Sequence, residues 1–354
     1  MGKTYFVIGL MSGTSLDGVD LVFAEISVAK EYTYTIKKTE TFAYPKEWSE
    51  KLKYAFEQSE TELKALDKEY GKYLGNLVLS FVTENKIAKV DFIASHGHTI
   101  FHKPNEGYTL QIGCGEEISK INNTKVVYDF RSQDVALGGQ GAPLVPVGDK
   151  LLFSEFEFCL NIGGFANVSF EENGLRKAFD ICPVNIVMNY FTRTIGLEYD
   201  DKGKLASEGN VHEELLQQLN ADPFYELPIP KSLGFEFVQE KVLPLIHLYP
   251  ISLKDVLRTF VEHVAIKISE VLSTKKKAKT LVTGGGAYNT FLIGRIQELT
   301  ETEIVIPSKE LVEFKEALLF ALLGVLKIEG KTNCLKSVTG ASHDHSSGVV
   351  VAIS

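Results

Sequence analysis

Positive charge is in short supply. Only 37 Lys and Arg stand against 46 Asp and Glu in 354 residues, a formal net charge of −9. Such a chain repels phosphate backbones, which excludes a general nucleic-acid binder; any phosphate ligand must be held locally, by backbone amides or a metal. Cysteine is scarce: Cys114, Cys159, Cys182 and Cys334 lie far apart with no CxxC pair. That spacing argues against a disulfide framework and for a reducing, cytoplasmic setting. Long apolar runs are missing too. "ALLFALLGVL" at 317–326 falls short of the ~20 residues that span a bilayer. The opening "TYFVIGLM" is too short for a secretion signal, and Phe6 occupies the position where acylation of Gly2 wants Ser or Thr. Two nucleotide signatures are also lacking. The "GKT" at 330–332 has Val325 where a Walker A loop needs glycine, and "GGQGAP" stops short of G-x-G-x-x-G.

What is present is an α/β pattern. At roughly 150 residues per domain the length suggests two domains. Strands are expected at 5–12 and 19–27, extended by "YTYTIKKTETFAY" (32–44), with helices through 47–86. "VDFIASHGHTIFH" (90–102) reads as a strand running into a polar loop, and "KVVYDF" (125–130) as a strand before a glycine-rich turn. At 158 the opening returns: "FCLNIGGFANVSFEENG" is again strand, glycine loop, strand. This repeat implies two similar α/β halves. Helices are expected at 185–195, 211–220, 252–274 and 313–328, with a Pro-rich loop at 222–234. Strands alternating with helices indicate mixed sheets. The boundary is expected near 128–150, dividing an N-terminal lobe 1–128, joined by 342–354, from a C-terminal lobe 129–341.

Three glycine-bearing loops, 12–18, 162–167 and 283–289, each follow an apolar strand. Each is either a tight turn or a backbone cradle for an anion. Taken together, two of them on repeated hairpins, they favour a nucleotide cleft. The histidines cluster as His96, His98 and His102, and as His343 and His345. Their spacings suit zinc, but no cysteine or carboxylate completes a ligand set; polar contact with a substrate is the expectation for His96. Among carboxylates, Asp180 ends the strand "KAFD" and is placed either as a general base or as the N-cap of the helix after Pro183. Asp17 either orients Mg²⁺ through water or closes its turn. Glu316 lies on an apolar helix, either buried for a reason or as an exposed first-turn acid. Asp129 and Arg131 form either a structural salt bridge or a grip on a substrate hydroxyl and carboxylate.

The motifs "GLMSGTSLDGVD", "SHGHTIFHKP", "TLQIG", "VVYDFRSQDVALGGQGAPLVP", "NIGGFANVS", "FDICPVN", "VTGGGAYN" and "SVTGA" resemble the anhydro-N-acetylmuramic acid kinase family, within the sugar kinase, actin and heat-shock chaperone superfamily. The likeness runs from residue 7 to 341. It implies two RNase H-like lobes with mixed sheets flanked by helices, an actin-like ATPase and sugar kinase architecture with an interlobe cleft. It implies ATP and Mg²⁺ as cofactors, a sugar substrate, no membrane partner and a possible homodimer. The reaction implied is hydrolytic opening of 1,6-anhydro-N-acetylmuramic acid with phosphorylation of O6, in peptidoglycan turnover. By the same resemblance Asp180 is the base that activates water. Ser12, Gly13, Thr14, Ser15, Leu16, Asp17 and Gly18 would cradle the γ-phosphate, with Asp17 near the metal through water, and Gly163 and Gly164 the other phosphates. Gly284, Gly285, Gly286 and Asn289 would meet adenosine. His96, Asp129, Arg131, Gln140 and Glu316 would face the sugar.

The chain departs from the pattern in places. Met11 and Asn161 stand where superfamily relatives often carry aspartate, and Ile181-Cys182-Pro183-Val184-Asn185 replaces the usual Thr-Gly-Pro-Gly-Asn. The altered turn motivates one alternative, a same-fold kinase for another sugar or polyol. A nucleotide-binding regulatory switch is the other.

Overall fold

The computed structural model describes residues 2–13 and 16–353; Thr14 and Ser15 lie outside the described residues. The chain divides into two compact units, Met1–Leu152 with Phe314–Ser354, and Phe153–Glu313. The expected boundaries at 128/129 and 341/342 therefore fall instead at 152/153 and 313/314. Hydrogen bonds explain the difference. The segment after residue 129 stays with the first unit because Gln140 N–H donates to the Thr339 carbonyl (2.8 Å) and Ser342 N–H to that of Leu137 (3.0 Å).

In chain order the strands are β1 Lys3–Ser12, β2 Gly18–Val28, β3 Tyr32–Ala43, β4 Phe92–Ser95, β5 His98–Lys103, β6 Tyr108–Ile112, β7 Val126–Tyr128, β8 Phe158–Ile162, β9 Phe165–Glu172, β10 Leu175–Pro183, β11 Lys279–Thr283, β12 Glu303–Val305 and β13 Val349–Val351. The first unit's main sheet has the order β13-β7-β4-β1-β2-β3, the second unit's β10-β9-β8-β11-β12. In each, three consecutive strands pair antiparallel and two further strands add parallel beside the first. The repeat read from two hairpins is thus a repeat of the whole sheet, the mixed RNase H-like arrangement. The first unit adds β13, antiparallel to β7.

Each sheet is covered by helices whose apolar spacing matches a 3.6-residue period. In the first unit, Glu60–Glu84 starts at a Ser59–Glu62 capping box and buries Leu63, Leu66, Tyr70, Leu74, Val78 and Phe81. In the second, Leu253–Leu272 buries Val256, Leu257, Phe260, Val264, Ile268 and Leu272. The helix Lys309–Ile328 spans the boundary in the chain. Its first-unit part approaches β1 so closely that a Cβ on Gly9 would lie 2.1 Å from the Ala317 carbonyl oxygen.

Three elements differ from expectation. The polar loop expected after the strand in 90–102 is itself a strand: β4 ends at Ser95, and β5 pairs with β6 as a separate two-stranded sheet. The helix expected at 313–328 begins at Lys309. A helical run, Phe235–His247, follows the Pro-rich loop; Pro244 in its last segment hid it from the sequence pattern. Among the described residues no helix is long and apolar enough to cross a membrane.

Candidate active site

In the first unit, β1 delivers Ser12 to the start of the hairpin loop. Its side chain is buried and committed: Ser12 Oγ lies 2.7 Å from Tyr44 Oη and 3.0 Å from His98 Nδ1, and accepts from Tyr70 Oη at 2.9 Å. Burial pushes Tyr44 up to about 12 and His98 down to about 4, so this network carries no charge near neutral pH. Ser12 therefore braces the loop from beneath, leaving backbone to face outward. Gly13 follows, half-buried, and Leu16 takes φ +61° as the chain turns back. Gly18 is required by pairing with β3, because a Cβ there would meet the Phe42 carbonyl oxygen at 2.5 Å. Asp17 is exposed beside it. The Thr14 and Ser15 expectations fall outside the described residues.

A second group gathers at the ends of β4 and β7. Gly97 O can only accept, so His96 Nδ1 must donate to it at 2.9 Å, leaving Nε2 to accept from Arg131 Nε at 3.0 Å. His96 is therefore neutral, and burial followed by the Arg131 charge holds its pKa far below the usual value. Arg131 also donates through Nη1 to the Gly141 carbonyl at 2.8 Å. Burial lowers the guanidinium to about 10, against the opposing pull of Glu316, Asp134 and Cys334, so it stays cationic. The salt bridge considered between Asp129 and Arg131 is not among these contacts. Asp129 instead sits at φ +51° with Oδ1 accepting from Ser132 N–H at 3.2 Å. A non-glycine residue held in the left-handed region stores strain of the kind that collects at functional sites. Gln140 is exposed on the same loop.

Glu316 lies in the second turn of its helix, so it is not the first-turn acid considered from sequence. It is open to solvent, yet enough protein surrounds it that desolvation raises its pKa, with Arg131 and Lys315 pulling down and Asp20 and Asp149 pushing up. Phe320, one turn on, packs against His96 with ring centroids 4.6 Å apart and the rings tilted by 50°. Residues four apart share a helix face, which sets Glu316 toward the His96–Arg131 pair. His96, Arg131 and Glu316 thus form one cluster.

The second unit joins the remaining residues. The Gly163–Gly164 turn links β8 to β9, and its carbonyls receive the start of the helix Asn185–Arg193: Val184 N–H donates to Gly164 O at 2.7 Å and Asn185 N–H to Gly163 O at 3.3 Å. Neither glycine is forced by the fold. Neither has a positive φ, and an added Cβ would meet nothing closer than 3.6 Å at Gly163 or 3.7 Å at Gly164. Gly284 and Gly286 contrast with them. Gly284 takes φ +83°, and a Cβ on Gly286 would lie 2.2 Å from Ile162 Cγ2. The 284–286 turn is thereby pressed onto the end of β8, beside Gly163. Gly285 is exposed with open space around it. Asn289 is buried and caps the helix Thr290–Leu299, accepting from Leu292 N–H at 3.0 Å.

Asp180 pairs with Asn167 on β9, just before a bulge, and Pro183 pairs with Phe165 at the glycine turn. The N-cap alternative fails, because Val184 holds that position with no side-chain cap. Instead Asp180 Oδ2 accepts from Leu233 N–H at 2.9 Å. Burial raises its pKa, with the Leu233 bond as a partial brake. Raised basicity suits a proton acceptor.

Two residues escaped the sequence reading. Asp20 accepts from Thr41 Oγ1 at 2.6 Å and its charge reaches Glu316. A carboxylate inside an otherwise apolar strand was the available signal. Asp134 is fully buried and holds the 131–141 loop, accepting from Gly141 N–H at 2.7 Å and Thr339 Oγ1 at 2.8 Å.

Comparison with known proteins adds an independent line. The family model described as anhydro-N-acetylmuramic acid kinase matches residues 5–352. A protein of that name from Haemophilus influenzae is 32% identical, over 98% of this chain and 98% of its own length. Another from Saccharophagus degradans is 34% identical, over 97% of each. A solved Clostridium difficile activator of 2-hydroxyisocaproyl-CoA dehydratase, with bound ADPNP, covers 92% of this chain and 97% of its own at 13% identity and a TM-score of 0.44.

Proposed function

Since the chain belongs to the anhydro-N-acetylmuramic acid kinase family, and is accordingly a phosphotransferase with an alcohol acceptor, we propose that it uses ATP and Mg²⁺ to convert 1,6-anhydro-N-acetylmuramic acid to N-acetylmuramic acid 6-phosphate in peptidoglycan recycling. The observation that carries the site assignment is the Gly163–Gly164 turn. Its glycines answer to no strain and no neighbour within the fold, which leaves close approach of a ligand as the reason for them. The Asp180 strand pairs directly alongside.

Phosphoryl transfer needs positioning and charge neutralisation more than covalent chemistry. In this reading the amides of Gly163 and Gly164 and of the 12–18 hairpin hold phosphate oxygens, and the 284–286 turn supports adenosine. Asn289 contributes by fixing that turn through its cap. Mg²⁺ takes hard oxygen ligands and keeps several waters, so Asp17 would hold it through one of those waters. The ion would neutralise phosphate charge. His96, Asp129, Arg131, Gln140 and Glu316 orient the sugar, with neutral His96, both of whose ring nitrogens are engaged, acting by fixing the Arg131 guanidinium. Asp180 removes a proton from the water that attacks the anomeric carbon. The bond from that carbon to the bridging oxygen breaks, and O6 takes the γ-phosphoryl group.

The comparisons lend no support to another sugar or to a regulatory switch. A cytoplasmic location is in keeping with four buried cysteines, none of them in a disulfide. The test is ³¹P NMR of the protein with ATP, Mg²⁺ and the anhydrosugar. A sugar 6-phosphate resonance is expected. ADP formation without it would overturn the substrate assignment and turn attention to Ile181–Val184.

A further inference from the structure

The paired histidines near the C-terminus flank Asp344, but have no cysteine near them in sequence. The fold brings up a cysteine and a second, buried carboxylate. Asp134, Cys334 and His345, all buried in the first unit, bring one carboxylate oxygen, one sulfur and one imidazole nitrogen within 4.8 Å of one another. Cys334 and Asp134 are 200 positions apart, with Sγ 2.9 Å from Oδ1. Backbone bonds fix the rest. Cys334 and His345 exchange N–H to O bonds of 3.1 Å in both directions, as a single bridge of antiparallel sheet.

The orientation of His345 is the decisive feature. Its Nδ1 lies 3.2 Å from the His343 carbonyl oxygen, which can only accept. Nδ1 therefore carries a proton, and Nε2 is the atom left to meet Asp134 and Cys334. That buried Nε2 has no hydrogen-bond partner, and it lies 3.5 Å from Asp134 Oδ1. A lone pair facing a carboxylate oxygen in a dry interior is repulsive unless a cation stands between them.

We propose that Asp134, Cys334 and His345 bind a zinc ion, with the Thr339 hydroxyl or one water as the fourth ligand. Thr339 Oγ1 is 2.8 Å from Asp134 Oδ1. Thiolate and imidazole select zinc over Mg²⁺, and bonds of about 2.0–2.3 Å in a tetrahedron separate ligand atoms by about 3.3–3.8 Å. The 3.5 Å separation already lies in that range, and the 2.9 Å separation needs to open only by about half an ångström. On binding, the sulfur–hydrogen bond of Cys334 gives way to a sulfur–zinc bond and the proton leaves to solvent. No electron is transferred. Because Asp134 also anchors Gly141 and Thr339, the ion would stiffen the 131–141 loop. The site is separate from the Mg²⁺ donors and does not depend on the proposed reaction.

The experiment is a Co²⁺ titration of chelator-treated full-length protein, followed by zinc displacement. One equivalent of Co²⁺ is expected, with a thiolate-to-cobalt charge-transfer band and the intense visible bands of tetrahedral cobalt, all removed by added zinc. Cys334→Ser should abolish the charge-transfer band, and His345→Gln should weaken binding by at least about 10–100-fold. Substoichiometric uptake, or bound cobalt without the charge-transfer band in the unmodified protein, overturns the proposal. It would leave the cluster as a hydrogen-bonded lock with a doubly protonated His345. That wild-type spectrum decides the matter even if the variants fail to fold.

Discussion

Replacing Gly164 by alanine separates ligand binding from folding. The added Cβ would find its nearest neighbour, Ile186 Cβ, at 3.7 Å, an ordinary van der Waals distance. The bond from Val184 N–H to the Gly164 carbonyl uses backbone alone and survives. With no strain introduced, the loss of chain entropy in the unfolded state should raise stability by about 0.4–1 kcal/mol. Catalysis should move the other way. A methyl group that pushes a phosphate oxygen off a backbone amide removes a charge-assisted hydrogen bond of about 1.5–3 kcal/mol, or roughly 10- to 100-fold in kcat/KM for ATP. Gly286→Ala is the control. Its Cβ would lie 2.2 Å from Ile162 Cγ2, so it should destabilise by about 1–3 kcal/mol through overpacking. Thermal melts and a coupled ADP-release assay read both quantities. A Gly164→Ala protein that melts earlier, or turns over normally, would refute the claim that a ligand accounts for this glycine.

Asp180→Asn should keep nucleotide affinity while lowering turnover by roughly 10²–10⁴-fold, measured by ATP titration and steady-state kinetics. Burial raises the folded pKa of Asp180 above its unfolded value, so its stabilising contribution is present at low pH and is lost as pH rises through the folded pKa. The variant should therefore melt no lower than the parent at pH 7, the comparison shifting in the parent's favour in acid, and the acid limb of kcat/KM should lie above the ordinary carboxylate range. Arg131→Lys cannot reproduce the fork that serves both His96 Nε2 and the Gly141 carbonyl. It should cost about 1–3 kcal/mol in a melt and raise KM for the sugar more than KM for ATP. Gly9→Ala, with its Cβ 2.1 Å from the Ala317 carbonyl oxygen, should destabilise by about 1–3 kcal/mol; unchanged denaturant midpoints would show that the helix can retreat.

Local chemistry determined what the sequence made legible. The hairpin at 158–172 repeats the one at 5–27 because each alternates an apolar strand with a glycine turn, and the same antiparallel-then-parallel sheet follows in each unit. Asp180 was legible because a carboxylate closing an apolar strand before proline has few structural uses. The motif resemblance held along nearly the whole chain. What needed the tertiary structure was every property that depends on neighbours remote in sequence. The unit boundary at 152/153 rests on hydrogen bonds from 137–140 to 339–342. Ser12 was expected to meet phosphate, but its hydroxyl is engaged by Tyr44, Tyr70 and His98, up to 86 positions away. Spacing cannot distinguish Gly164, which no neighbour constrains, from Gly286, which Ile162 requires. Nor can it join Asp134 to Cys334 across 200 residues. Periodicity reports only which face of an element is apolar; the partner that face meets is decided when the sheets close and bring distant side chains to within bonding distance.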